Sequence, residues 1–104
     1  MGSKAGTIGR QPPVRNALYG PTKTAVAWYG KRVNSEDEWL NAFVLIPGWL
    51  QTDMGNTAAN VFGVKEAPVA LQDSDNGMVN VLTTATKEKY GGKVVLYTGE
   101  VQDW

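Results

Sequence analysis

The chain has 104 residues, which suffice for one hydrophobic core but not for two. Its ten basic and ten acidic side chains balance, so neither nucleic acid nor an anionic membrane surface is an expected partner. Histidine and cysteine are absent, which excludes disulfides and thiolate chemistry and leaves tyrosine, lysine, serine and carboxylates for any catalysis. No segment approaches the ~20 apolar residues of a membrane span, and the N-terminus lacks a secretory signal, so we expect a cytoplasmic protein.

The first predicted helix begins close to Pro21. Residues 5 to 18 hold glycine, proline and asparagine without apolar periodicity, as is typical of a loop. Pro21 suits a first helical turn, because the N–H that it lacks is not needed there. Apolar side chains then recur at helical spacing up to Asn34 and Ser35, and residues 36 to 38 extend or cap the end.

Residues 40 to 46 form an almost continuous apolar run that ends at Pro47 and Gly48. Such a run indicates a short strand that is covered on both faces, as in a parallel sheet, although periodicity alone leaves a buried helix segment open. Residues 49 to 72 mix glycine, asparagine and proline with scattered apolar side chains. We expect a long loop there, with one short helix at residues 58 to 62.

A second helix and a second strand are predicted after this loop. Asp73 and Ser74 are typical of a helix N-cap, and an apolar stripe continues from Met78 to residues 87 to 89, where two glycines follow. Residues 93 to 97 are typical of a strand. The order of helix, strand, loop, helix and strand predicts an α/β fold with a parallel sheet and a right-handed crossover.

Tyr19 and Lys23 are the first candidates for chemistry. They are four residues apart at the start of the first predicted helix, so they share one helical face. An ammonium group next to a phenol favours the phenolate and makes the hydroxyl a better acid or base near neutral pH. The same spacing arises by chance on many helices, so on its own it also fits an ordinary helix surface.

Two further segments accompany this pair in a defined order. Ser3-Lys-Ala-Gly6 precedes it, and Pro47-Gly-Trp-Leu-Gln-Thr52 follows the predicted strand. Together with Tyr19-x-x-x-Lys23, these segments resemble the short-chain dehydrogenase/reductase family, and the resemblance extends along nearly the whole chain. Residues 39 to 43, residues 51 to 55 and Trp104 are most similar to the fungal, norsolorinic acid ketoreductase-like branch. The resemblance implies the C-terminal half of a Rossmann-like, doubly wound parallel sheet.

The resemblance also implies a role for each catalytic candidate. Tyr19 is expected to protonate a substrate carbonyl oxygen as hydride reaches the carbon. Lys23 is expected to favour that transfer and to bind the nicotinamide ribose. Ser3 is expected to donate a hydrogen bond to the same substrate oxygen. Because Ser3 is a few residues farther from Tyr19 than the family pattern has it, a plain loop serine is the alternative.

The turn after the first predicted strand is implied to line the nicotinamide of NADP(H) or NAD(H), through Pro47, Gly48, Leu50 and Thr52. The Leu50 backbone and the Thr52 hydroxyl are expected to hold the carboxamide, and a plain strand-ending turn is the alternative. Trp49 and residues 55 to 66, including Phe62, are expected to form a lid over a small or polyketide-like carbonyl or alcohol substrate. An exposed apolar loop is the alternative for this lid.

A dinucleotide-binding fold holds the pyrophosphate on a glycine-rich turn between a strand and a helix, and these 104 residues contain no such unit. We therefore expect one partial domain, residues 1 to 104, whose own binding of the cofactor is in doubt. Half a fold leaves a sheet edge and apolar faces uncovered, which favours a homo-oligomer or association with a full-length relative. A non-catalytic remnant that binds such a relative and a truncated gene product without function are the alternatives to an enzyme.

Overall fold

The structure, a computed structural model, describes residues 1–104 and contains a small sheet with helices packed on both faces. The helices are α1 (Tyr19–Glu36), α2 (Asp53–Val61), α3 (Leu71–Thr84) and α4 (Lys87–Tyr90), preceded by a 3-10 turn at Lys4–Gly6. The strands are β1 (Val44–Ile46), β2 (Val94–Leu96) and β3 (Val101–Gln102). None of the helices combines the length and apolar character that a membrane crossing requires.

The sheet has the order β1-β2-β3. β1 and β2 are parallel, with Val44 opposite Val94 and Ile46 opposite Leu96, whereas β3 is antiparallel to β2. On the other side of β1, the Gly2 amide donates to the Leu45 carbonyl at 2.8 Å. The predicted α/β class and the parallel pairing are confirmed. β3 was not predicted, because two residues are too few to form a recognisable apolar pattern.

The core has two layers, one on each face of the sheet. On one face, Val44, Ile46, Val94 and Leu96 pack against Val26 and Ala27 of α1. On the other face, Leu45 and Val95 pack against Val81 of α3 and Tyr90 of α4. Because both faces are covered, all three residues of β1 and of β2 are buried, as the continuous apolar runs predicted.

Both strands are shorter than predicted. Residues 40 to 43 do not join the ladder: the Ala42 amide donates to Asn34 Oδ1 at 3.3 Å, and the Leu40 carbonyl accepts from Lys87 Nζ at 2.6 Å. β2 likewise spans residues 94 to 96 instead of 93 to 97. The apolar run marks what is buried, whereas hydrogen-bond partners elsewhere in the chain set where the strand ends.

A short helix is present where one was predicted at residues 58 to 62, but the predicted start is wrong. α2 begins at Asp53, because the Thr52 side-chain oxygen accepts from the Gly55 amide at 3.0 Å and caps the helix. A parallel bridge between Leu50 and Val69 then closes the segment that contains α2.

The N-cap predicted at Asp73 and Ser74 is also wrong. α3 begins at Leu71, so Asp73 lies in its first turn and Ser74 is buried inside the helix. α3 ends at Thr84, and residues 87 to 89 belong to the separate turn α4, which Thr86 caps through the Lys89 amide. Two helices replace the single long one, because the chain leaves α3 at Ala85 and Thr86 caps a new helix there.

Candidate active site

Tyr19 and Lys23 lie on successive turns at the start of α1. The Lys23 ammonium is 5.5 Å from the centroid of the Tyr19 ring. Tyr19 is 46% exposed, so a ligand can reach its phenol. The first turn of α1 therefore presents an accessible phenol that can give or take a proton, with a positive charge over its ring.

The first turn of α1 is held in place by residues that the sequence patterns did not single out. Asn16 Nδ2 donates to the Ala5 carbonyl at 2.7 Å, and the Gly20 amide donates to the Asn16 carbonyl at 3.0 Å. A Cβ at Gly20 would lie 2.8 Å from the Ala5 carbonyl oxygen, so only glycine lets this turn approach so closely. Asn16 lies in a predicted loop where asparagine is common, so no spacing signal marked it.

Ser3 is the N-cap of the 3-10 turn at Lys4–Gly6. Its Oγ accepts from the Ala5 amide at 3.1 Å, and its own hydroxyl hydrogen has no acceptor within the chain. A serine hydroxyl can accept and donate at the same time. Ser3 can therefore donate to a bound ligand without giving up its capping role.

The 3-10 turn lies directly against α1, which brings Ser3 and Lys23 together. Thr24 Oγ1 donates to the Gly6 carbonyl at 2.7 Å, and a Cβ at Gly6 would lie 2.6 Å from the Lys23 carbonyl carbon. Ser3 and Lys23 line one cavity of about 230 Å³ together with apolar side chains that include Ile8. Lys23 Nζ also donates to the Met1 carbonyl at 3.3 Å.

Pro47 and Gly48 form the turn that leaves β1. Gly48 has a φ of 96°, which favours glycine, and a Cβ there would meet the Tyr97 ring and Val69 at 3.2 Å. The Val69 amide donates to the Trp49 carbonyl at 3.1 Å, and the Gln51 amide donates to the Val69 carbonyl at 2.9 Å. The turn is therefore fixed on both sides of Leu50.

Leu50 and Thr52 leave two hydrogen-bond donors free in this turn. The parallel bridge to Val69 uses the Trp49 carbonyl and the Gln51 N–H, and the Leu50 N–H has no acceptor within the chain. Thr52 Oγ1 accepts from the Gly55 amide, so its hydroxyl hydrogen also stays available. Both donors are therefore available to an acceptor oxygen of a ligand.

Trp49 and Phe62 form an aromatic pair across α2. Their ring centroids are 6.2 Å apart at an interplanar angle of 75°. Trp49 Nε1 donates to the Gly55 carbonyl at 2.9 Å, which fixes the indole against the first turn of α2. Trp49 is 36% exposed and Phe62 is 43% exposed, so both rings offer apolar surface to a ligand.

The structure brings some of the predicted site residues together and keeps others apart. Ser3, Tyr19 and Lys23 lie around the start of α1, and Pro47 to Thr52 lie beyond the end of β1. The cavity that Ser3 and Lys23 share is lined neither by Tyr19 nor by any residue of the turn at 47 to 52. Within these 104 residues the candidate site is thus two separate groups of residues and not one closed pocket.

Similarity to known proteins extends over the whole chain. A norsolorinic acid ketoreductase of Dothistroma septosporum is 42% identical over 79 residues, which are 76% of this chain and 30% of that protein. A short-chain dehydrogenase of Pyricularia oryzae is 32% identical over an alignment that covers 100% of this chain and 43% of its own length. The chain therefore spans less than half the length of these relatives. No protein-family model matches it.

Two solved structures are similar in fold. Carbonyl reductase Sniffer of D. melanogaster superposes with a TM-score of 0.84 at 24% identity, covering 100% of this chain and 39% of that one. An NADPH-bound carbonyl reductase from chicken fatty liver superposes with a TM-score of 0.80 at 25% identity, covering 99% of this chain and 40% of that one. The sheet and helices described above thus match a contiguous part of a larger Rossmann-like fold.

Proposed function

Because the chain belongs to the short-chain dehydrogenase/reductase family, we propose that residues 1 to 104 form the proton-donating and nicotinamide-binding part of an NAD(P)H-dependent carbonyl reductase. The observation that carries the proposal is the Lys23 ammonium, 5.5 Å from the ring of an accessible Tyr19. The proposed reaction converts a ketone into an alcohol. It adds a hydride to the carbonyl carbon and a proton to the oxygen.

Tyr19 is the proposed proton donor. As the carbonyl oxygen gains charge, the Tyr19 hydroxyl transfers its proton to that oxygen, and the positive charge of Lys23 stabilises the phenolate that remains. Ser3 uses its free hydroxyl hydrogen to stabilise the same oxygen while charge develops. Solvent returns the proton to Tyr19, which its exposure permits.

The turn after β1 fits the nicotinamide end of the cofactor. The free Leu50 N–H and the free Thr52 hydroxyl hydrogen are the donors that would hold the carboxamide, and Gly48 lets the backbone turn without a side chain in the way. When bound, the reduced nicotinamide supplies the hydride and is thereby oxidised. The NADPH in the chicken carbonyl reductase favours NADP(H) over NAD(H). In the longer relatives, residues outside the segment that aligns with this chain would hold the cofactor phosphates.

Trp49 and Phe62 are the proposed substrate contacts. Their edge-to-face rings provide an apolar wall next to the nicotinamide turn, and such a wall favours a flat, apolar ketone. Relatives that are named for norsolorinic acid support a polyketide-like substrate over a small aliphatic one.

An association role without catalysis is the second candidate. Trp28 and Tyr29 of α1 are 60% and 63% exposed, and Leu18, which precedes the helix, is 90% exposed, so α1 and its N-terminus carry a large uncovered apolar surface. Such a surface favours a second copy of the chain or a full-length relative as a partner. This candidate requires no turnover.

A chimera tests the cofactor part of the proposal. Residues 1–104 replace the matched segment of the Pyricularia oryzae dehydrogenase, whose remaining chain is to supply the phosphate-binding half. In this chimera, Thr52→Val removes both the cap of α2 and the free donor. NADPH binding, followed by nucleotide fluorescence, is expected to weaken about fivefold to tenfold, which corresponds to one hydrogen bond.

Two matched variants separate the cap from the donor. Thr52→Ser keeps both functions and should bind NADPH like the parent chimera. Thr52→Asp keeps a capping oxygen but has no hydrogen to donate, so it should bind as weakly as Thr52→Val. If Thr52→Asp binds NADPH as tightly as Thr52→Ser, the carboxamide is held elsewhere and the proposed nicotinamide site is wrong.

A further inference from the structure

Ser74 is the one polar side chain of the chain that is completely buried. It lies in the first turns of α3, has 0% exposure, and its Oγ donates to the Pro47 carbonyl at 2.7 Å. The two residues are 27 positions apart. A buried hydroxyl is stable only with a partner, so this bond ties α3 to the turn that leaves β1.

Ser74 differs from the other hydroxyl side chains in the helices. The remaining serines and threonines of α1, α2 and α3 each donate to a carbonyl three or four residues earlier in their own helix, as Thr57 does to Asp53 and Thr83 does to Val79. Thr24 makes this local bond and also donates to the Gly6 carbonyl. That local bond is the usual one for a hydroxyl inside a helix. Ser74 makes none and reaches a different element instead.

The Pro47 carbonyl has no strand partner of its own. The parallel ladder ends where the Tyr97 amide donates to the Ile46 carbonyl at 2.8 Å, and β2 then turns away through Gly99. Pro47 is the first residue beyond this end. Its carbonyl would be left without a protein donor if Ser74 did not supply one.

α3 packs closely against the residue that follows β2, next to this turn. Gly77 lies one helical turn after Ser74, and a Cβ there would be 2.5 Å from the Tyr97 carbonyl oxygen. Gly48 in turn lies against the Tyr97 ring. Ser74 and Tyr97 therefore contact the Pro47–Gly48 turn directly, and Gly77 lets α3 pack closely against Tyr97.

We infer that Ser74 is a positioning residue: its hydroxyl fixes the Pro47–Gly48 turn and thereby sets where the Leu50 and Thr52 donors point. Gly48 is the flexible link, because glycine with a φ of 96° can adopt many other backbone angles once the Pro47 carbonyl is released. The inference rests on the proposed function only for the identity of the ligand that these donors hold.

Amide hydrogen exchange of the full 104-residue chain, read by NMR, tests the inference without any cofactor. Ser74→Ala should speed exchange of the Gln51 and Thr52 amides about tenfold, the equivalent of ~1.4 kcal/mol in local opening. The Tyr97 amide, in the ladder next to the turn, should change less than about twofold. Ser74→Cys keeps a weaker donor of similar size, so its effect should lie between those of Ser74→Ala and the parent chain.

Thr83→Ala is the matched control, because it removes an exposed hydroxyl bond from the same helix. It should leave exchange at residues 48 to 52 unchanged. If Ser74→Ala does not fold, the Ser74 hydroxyl proton of the parent chain is measured instead. Slow exchange of this proton, together with its proximity to the Gly48 α-protons, supports the inference, and fast exchange overturns it.

The outcomes distinguish this inference from the proposed function. A rise in exchange that is uniform along the chain overturns the positioning role, because Ser74 would then contribute only to overall stability. No rise at all also overturns it, because the turn would then not depend on the Ser74 hydroxyl. A local rise at Gln51 and Thr52 supports the positioning role. If the parent chimera then binds no NADPH, or if Thr52→Asp binds it as tightly as Thr52→Ser, the proposed function fails while the positioning role of Ser74 stands.

Discussion

The Lys87 ammonium joins parts of the chain that are far apart in sequence. Its Nζ donates to the Asn34, Asp37 and Leu40 carbonyls at 2.9, 2.9 and 2.6 Å, and Asn34 Oδ1 is 3.2 Å away. Carbonyls at a helix C-terminus have no partner within the helix, and a positive charge there also matches the helix dipole. One side chain of α4 therefore completes the end of α1 and the turn that leads to β1.

Lys87→Met should destabilise the chain, because it keeps most of the apolar stem but leaves the Asn34 and Leu40 carbonyls without a donor. We expect the free energy of unfolding to fall by ~1–3 kcal/mol in urea titrations followed by tryptophan fluorescence. Lys65→Met, at an exposed lysine without such contacts, is the control and should stay within ~0.5 kcal/mol. Equal effects of the two substitutions would show that the Lys87 bonds contribute nothing to stability.

Among the elements, those that depend on local chemistry and burial could be predicted from the sequence. Pro21 marked the start of α1, and the two apolar runs marked β1 and β2, because a strand covered on both faces needs apolar residues at every position. The order of these elements was sufficient for the α/β class and the parallel pairing.

The remaining features depend on partners that are distant in sequence. Thr52 caps α2 only because the chain turns there, and Ser74 resembled an N-cap because a hydroxyl beside an aspartate is common at helix starts. The actual partner of Ser74 is 27 positions away, which no local pattern can reveal. The same holds for Asn16, whose role depends on the Ala5 carbonyl.

The sequence indicated candidate site residues but not their mutual arrangement. Family-like segments indicated Ser3, Tyr19, Lys23 and the turn at 47 to 52 from sequence alone. The direction of each hydrogen bond could not be predicted, although this direction determines which hydroxyl hydrogens are available to a ligand. Ser3 and Thr52 both accept from a backbone amide, which leaves each hydroxyl hydrogen available to a ligand.

At the scale of the whole molecule, α1 carries an uncovered apolar surface. Trp28 and Tyr29 stack edge to face with ring centroids 5.3 Å apart, and both are more than half exposed. Exposed aromatic pairs of this kind are typical of contact surfaces between proteins. We therefore expect the isolated chain to self-associate at micromolar concentration.

Trp28→Glu should weaken this association, because it places a charge at the centre of the apolar surface. Sedimentation velocity is expected to show a dissociation constant at least about tenfold higher than that of the parent chain. Trp39→Glu is the control, since Trp39 is 82% exposed but lies outside α1. A parent chain that stays monomeric at these concentrations would contradict the expected association.

The most direct test of the proposed chemistry is the single-turnover rate of ketone reduction by the chimera with NADPH, compared between Tyr19→Phe and Tyr29→Phe. Both substitutions remove one phenolic hydroxyl from α1, but only Tyr19 has the Lys23 ammonium beside its ring. Tyr19→Phe should lower the rate ~10²–10⁴-fold with NADPH binding unchanged, whereas Tyr29→Phe should leave the rate within about twofold of the parent. A Tyr19→Phe chimera that binds NADPH and reduces the ketone at the parent rate would show that Tyr19 is not the proton donor.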